Sequence, residues 1–302
     1  MKKTVRLLSI MAVIVAGCIT ACGQNATKNT ADDSGKVKVM TSFYTMYDFA
    51  QKIGGEKVEI TNMVPSGTEP HDWEPSAIDI RNMEDADVFI YNGAGMEHWA
   101  EDILKSLDNS ELVTVEASEG VELIREGKEN DPHVWLDPEN AKIEMEHIKD
   151  AFIEADKDNA EYYNENYETY SSQLDGLNQE FEEALSQATN KDIIVAHKAF
   201  GYLCKAYGLN QIAIEGLMPD SEPDPARMEE IIQLAKKKKI NTIFFEELVS
   251  PKVANTIAKE IGAKTEVLNP LEGLSEEQMD AGEDYFSVMR TNLKQIKKAL
   301  EN

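Results

Sequence analysis

Five histidines punctuate the 302-residue chain: His71, His98, His133, His147 and His197. Three of them stand where a side chain can reach a ligand. His71 follows Pro70 in a loop, just past an apolar run at residues 58–64 that reads as a strand. His133 follows Pro132 in Asp131-Pro132-His133-Val134-Trp135-Leu136-Asp137-Pro138. His197 directly follows the strand-like Ile193-Ile194-Val195-Ala196. Neutral imidazole is the commonest metal ligand, and open parallel sheets bind ligands beyond the carboxyl ends of their strands. Three imidazoles leave one position of a tetrahedral ion, and a carboxylate is the natural candidate for it. Glu272, in Leu268-Asn269-Pro270-Leu271-Glu272-Gly273-Leu274, lies just past the last strand-like run. A shell closed by four protein ligands stores a metal, whereas a catalytic zinc keeps a water. His98 and His147 lie among charges on helical segments and read as solvated surface imidazoles. Glu246 and Glu247 follow the run Ile243-Phe244-Phe245. One of them could accept a ligand's ring N–H, as metal sites usually require; the alternative is a solvated loop carboxylate.

The elements that must carry these residues alternate in type. Short apolar runs at residues 37–40, 58–64, 88–91 and 112–115 read as strands, with amphipathic helices between them. The second half repeats the pattern with runs at 193–196, 212–214, 243–245 and 266–268. Such strands, separated by helices, imply an α/β fold with mostly parallel sheets covered on both faces. Between the halves, Tyr163, Tyr167, Tyr170, Leu174, Leu177, Phe181 and Leu185 are spaced 4, 3, 4, 3, 4 and 4 residues apart. That is one apolar stripe on one helix, long enough to cross from one lobe to the other. The domain reading is therefore an N-terminal lobe at 37–157, a rigid linker helix at 158–189 and a C-terminal lobe at 190–302. The four candidate ligands then fall two to each lobe, with the metal in the cleft between them. A weak internal echo relates Val64-Pro65-Ser66-Gly67-Thr68-Glu69-Pro70-His71 to Met218-Pro219-Asp220-Ser221-Glu222-Pro223-Asp224. Cys204, on a helical segment, reads as a small buried hydrophobe.

The amino terminus reads as an address. Lys2, Lys3 and Arg6 precede an apolar run from Leu7 to Ile19. Its 13 residues are short for a bilayer span, which needs about 20, and fit a signal peptide's apolar region. The run ends in Ile19-Thr20-Ala21-Cys22, which resembles the lipobox of bacterial lipoproteins. The resemblance implies a signal peptide at 1–21 and lipidation of Cys22, with Cys18 the less favoured alternative. Residues 22–36 then form a flexible tether. The net charge of −26 would become −29 on losing Lys2, Lys3 and Arg6. Such an acidic chain is unsuited to nucleic acid or to anionic lipid, so an acyl anchor would have to supply membrane attachment.

With these features in view, the chain resembles the metal-binding lipoproteins of zinc and manganese ABC transporters, the cluster A-I solute-binding proteins. Four motifs carry the likeness in order: Val64 to Pro75, Asp131 to Pro138, Ala196 to Leu203 and Val267 to Leu274. The resemblance implies two α/β lobes on a rigid helix, with His71, His133 and His197 as ligands. Asn269-Pro270-Leu271-Glu272-Gly273-Leu274 looks most like the AdcA/ZnuA-type zinc branch, where Glu is the fourth ligand. The expected function is extracytoplasmic capture of Zn²⁺ and delivery to an ABC permease and its ATPase, by a monomer that is not an enzyme. Manganese or iron as the cargo is the first alternative, and a His₃ metallohydrolase the second. The acidic stretch from Glu119 to Asp131 contains no histidine, unlike the His-rich loop of many zinc members.

Overall fold

The computed structural model describes residues 35–219 and 223–301. The lipobox, Cys22 and the tether up to residue 34 lie outside them, as does the 220–222 part of the internal echo. In chain order the elements are β1 (Val37–Thr41), α1 (Tyr44–Gly54), β2 (Val58–Asn62), α2 (Ala77–Glu84), β3 (Val88–Tyr91), α3 (Ala100–Leu104) and β4 (Val113–Glu116). A small hairpin follows, β5 (Arg125–Glu126) and β6 (Glu129–Asn130), then α4 (Pro138–Ala155) and α5 (Ala160–Leu185). The rest comprises β7 (Asp192–Val195), α6 (Gly201–Tyr207), β8 (Asn210–Ala213), α7 (Pro225–Lys238), β9 (Thr242–Phe245), α8 (Lys252–Ile261), β10 (Lys264–Val267), α9 (Glu276–Asp280) and α10 (Tyr285–Leu300).

Two four-stranded sheets result, in the orders β2-β1-β3-β4 and β8-β7-β9-β10. Every pairing within them is parallel. Numbered within each half, both read 2-1-3-4, so the halves share a topology as the sequence echo suggested. Strand β7 lies between β8 and β9, so the loops after β7 and β9 emerge side by side. In such sheets that reversal of strand order is where ligands bind.

The long helix α5 has 26 residues, about 39 Å at 1.5 Å per residue. Its apolar stripe is buried at Tyr163, Leu174, Leu177, Phe181 and Leu185, with Tyr167 and Tyr170 half-buried against the same core. It packs on α1 and α4 from the first half and on α6 and α10 from the second. One hydrophobic cluster runs through both halves, from Val39 and Phe152 to Ile193 and Leu268. Residues from 35 onward form a single compact unit. Among the described residues no helix is long and apolar enough to cross a membrane.

Candidate metal centre

Each candidate ligand is fixed by its local sequence. His71 lies in the loop between β2 and α2, where its backbone N–H donates to the Glu69 carboxylate at 3.1 Å. His133 opens a single 3₁₀ turn, Val134–Leu136, that leads into α4. Asp137 caps α4 by accepting from the Glu139 N–H, and Pro138 occupies the first turn, where it loses no helical hydrogen bond. The Pro132 carbonyl accepts from the Asn92 side chain at 3.0 Å, tying the His133 loop to the end of β3. His197 lies two residues beyond β7, where the Ala196 N–H donates to Phe244 O at 2.8 Å and aligns it with β9.

Glu272 sits on a strained loop. Leu271 before it has φ of +64°, a conformation disfavoured for a branched side chain. Its N–H donates to the Asn269 side chain at 2.7 Å, and its carbonyl accepts from Thr45 Oγ1. Trp135 Nε1 donates to Pro270 O at 2.8 Å, and Glu247 accepts from Asn269 Nδ2 at 3.0 Å. Hydrogen-bond partners from both halves therefore hold this loop.

The four side chains converge. His71, His133, His197 and Glu272 each offer a ligand atom, and all four atoms lie within 4.8 Å of one another. Their exposures are 4%, 0%, 1% and 1%. Glu272 Oε1 stands 3.3 Å from His71 Nε2, 2.8 Å from His133 Nε2 and 3.8 Å from His197 Nδ1, and the His71 and His133 Nε2 atoms are 3.2 Å apart. Ligands about 2.1 Å from a tetrahedral ion are about 3.4 Å from each other, so the cluster is close to the size of such a shell. Glu272 Oε2, also buried, has no hydrogen-bond partner.

Two further carboxylates orient the imidazoles. His133 Nδ1–H donates to Asp131 Oδ1 at 2.7 Å, which leaves Nε2 turned to the centre. His197 Nε2–H donates to Leu217 O at 2.8 Å, so Nδ1 faces the carboxylates. Glu246, itself buried, puts Oε1 2.7 Å from that Nδ1, an ion-pair contact off the line of a hydrogen bond. Glu246 thus reaches a candidate ligand, while Glu247 acts on the Glu272 loop. Asp131 was not singled out by the sequence reasoning, although its place two residues before a histidine was a usable signal.

Burial and charge pull the site's proton affinities apart. Burial dominates at His71 and lowers its pKa, with Glu272 working against it. Burial would also lower His133, but Asp131 and Glu272 outweigh it and raise the value. His197 is pushed up to about 10, because Glu272 and Glu246 overcome its burial. Glu272 is held well below the usual carboxylate range: burial opposes this, and His197, His71 and the His133 hydrogen bond prevail. Glu246 is raised by burial despite His197. Glu69, whose carboxylate also faces this cluster, is raised to about 8 by burial and then by Glu272.

The other histidines stay outside the cluster. His98 is exposed, as expected. His147 is not the solvated imidazole its sequence suggested: it is half-buried, and Nδ1–H donates to Ala117 O at 2.9 Å, because β4 runs alongside α4. Trp135 is fully buried, its ring centroid 5.4 Å from that of His133. Cys204 is buried and free, and burial raises its thiol to about 12.

Comparison with known proteins gives a consistent answer. Residues 39–299 match the family described as zinc-uptake complex component A, periplasmic. The chain is 42% identical to the high-affinity zinc uptake system protein ZnuA of Bacillus subtilis, covering 95% of this chain and 96% of that one. It is 39% identical to the zinc-binding lipoprotein AdcA of Streptococcus pneumoniae, of which it spans 62%. The crystal structure of the Zn(II)-bound ZnuA-like domain of that AdcA superimposes with a TM-score of 0.81 at 42% identity, covering 89% of this chain and 100% of the domain.

Proposed function

The chain belongs to the zinc-uptake complex component A family, and on that footing we propose that it captures Zn²⁺ outside the cytoplasm and delivers it to an ABC permease with its ATPase. The observation that carries this reading is the buried convergence of His71, His133, His197 and Glu272. These are the proposed ligands of the transported ion. Three nitrogens and one oxygen at tetrahedral spacing suit zinc, whereas manganese favours more oxygen ligands. Binding rather than catalysis follows from the place of Glu272. Its Oε1 is the common neighbour of all three imidazoles, so it closes the shell instead of standing beyond it as a base. Asp131 and Glu246 position His133 and His197.

Attachment to the membrane is assigned to a lipid on Cys22 after removal of residues 1–21. The two halves, with boundaries near 157 and 190, work as one body on α5, and loading and release involve small relative movements in a monomer. The test is a competition titration of Zn²⁺ and Mn²⁺ against a chelator for the wild type, His197→Ala and Glu272→Ala. Tight zinc binding that both substitutions weaken, with weaker manganese binding throughout, is the expected result. Unchanged zinc affinity in His197→Ala would remove the proposed site.

A further inference from the structure

The buried cluster has a rim of its own chemistry. A cavity of about 390 Å³ reaches the cluster through His71 and continues along His98, Lys128, Glu129, Asn130, Leu217 and Met218. His98 is the second imidazole on its wall. Its side chain is 54% exposed, with Nε2 3.6 Å from Glu74 Oε1.

Both side chains are largely exposed, Glu74 at 74%, but the residues beside them pack together. Glu74 follows Trp73 and His98 precedes Trp99, and the two indoles meet edge to face with centroids 5.8 Å apart. Glu74 also lies three residues beyond His71 on the same loop. The loop leading to His98 is fixed as well. Glu97 accepts from the N–H groups of Asn92 and Gly93, both at 2.9 Å, and from Ser42 Oγ at 2.6 Å. The turn between them runs through positive φ at Gly93, Ala94 and Gly95.

We propose that His98 and Glu74 form an outer, transient divalent-cation site at the mouth of the buried cluster, which the transported ion occupies on its way in and out. The proposal rests on the buried cluster being the ion's destination. An imidazole nitrogen and a carboxylate oxygen are both zinc donors. Two such ligands on an open rim leave the remaining positions to water, so binding there is weak. Their use is kinetic. An ion moving straight from water into the fully buried cluster must shed its hydration shell in one step, and desolvating a charge is costly. Exchanging two waters for His98 and Glu74 first divides that step. Because the pair touches only the passing ion, it lowers the barrier equally in both directions and leaves the affinity of the buried site unchanged.

The test uses the full chain, with zinc association and dissociation followed by stopped-flow against a fluorescent chelator. The variants are His98→Ala, Glu74→Gln and, as a control for lost charge alone, Glu168→Gln, an exposed carboxylate on α5. The expected result is that His98→Ala slows both rates about tenfold, Glu74→Gln slows both less, and Glu168→Gln changes neither. The equilibrium affinity stays within about twofold throughout, which also reports an intact fold. Unchanged rates in His98→Ala with tight binding intact would overturn the outer site alone. So would slower association with unaltered dissociation, since that places His98 in the bound state. If the wild type bound no zinc tightly, the buried site would fall first and the outer site with it.

Discussion

Loading the site should release protons, and the structure fixes roughly how many. Zinc binds neutral imidazole, so a proton on any ligand histidine in the metal-free site must leave. With ordinary pKa values near 6.5, each histidine would carry about 0.1 proton at pH 7.5, and three would release about 0.3. The geometry says otherwise. His197 Nδ1 faces Glu246 at 2.7 Å and Glu272 at 3.8 Å, which pushes its pKa to about 10. His133 is also raised, by Asp131 and Glu272 acting against burial. His71 is lowered by burial and arrives neutral. Release at pH 7.5 should therefore be about one to two protons per zinc. Displacing a proton held with a pKa of about 10 at that pH costs about 3 kcal/mol of apparent affinity. The assay is calorimetric titration with zinc in three buffers of different ionisation enthalpy; the slope of observed enthalpy against that quantity counts the protons. Glu272→Gln, which removes the strongest charge raising His197, should lower the count along with the affinity. A wild-type slope near 0.3 would refute the electrostatic reasoning, because the carboxylates would then not be holding the proton.

Other outcomes follow from the same contacts. The folded His197 value lies above the unfolded one, so its proton stabilises the metal-free fold fully below pH 6.5 and is lost as pH rises toward 10. The zinc-induced rise in melting temperature should accordingly grow between pH 6.5 and 9, and a flat profile would contradict it. A Cβ at Gly201 would run into Asp131 Oδ2, so Gly201→Ala should disturb the carboxylate behind His133 and weaken zinc binding about tenfold in the chelator competition. Tyr202 Oη donates to Asp131 O and accepts from the Ile124 N–H, both at 2.9 Å. Tyr202→Phe should lower the urea unfolding free energy by about 2 kcal/mol. Lys52 joins Asp48 at 3.0 Å and Asp284 at 2.9 Å in a nearly buried setting, so Lys52→Met should destabilise by about 3 kcal/mol in the same assay by stranding Asp48.

Much of this arrangement is written locally. The inner strands β1, β3, β7 and β9 are short, predominantly apolar runs, and the long stripe from Tyr163 to Leu185 marks α5 because a single face is buried over its whole length. The three histidines of the candidate site are legible because a prolyl residue or a strand end precedes each of them. Strand order is not legible, since β1, β2 and β3 differ in neighbours rather than in composition. The β5–β6 hairpin escaped notice because Arg125, Glu126, Glu129 and Asn130 carry no apolar alternation. The groups that orient the ligands are equally silent. Leu217 acts through its carbonyl, and Thr45 reaches Leu271 across 226 positions. His147 misled because its charged neighbours in sequence point elsewhere, while its ring meets a backbone carbonyl from β4's far end.

The central claim is that one zinc ion sits among three imidazoles and one carboxylate. X-ray absorption at the zinc K-edge, on the chain loaded with one equivalent, tests it most directly. The account predicts four light-atom ligands at about 2.0–2.1 Å, with the multiple scattering of three imidazoles, reduced to two in His197→Ala. A shell of five or six oxygens, or an imidazole count that His197→Ala leaves unchanged, would contradict it.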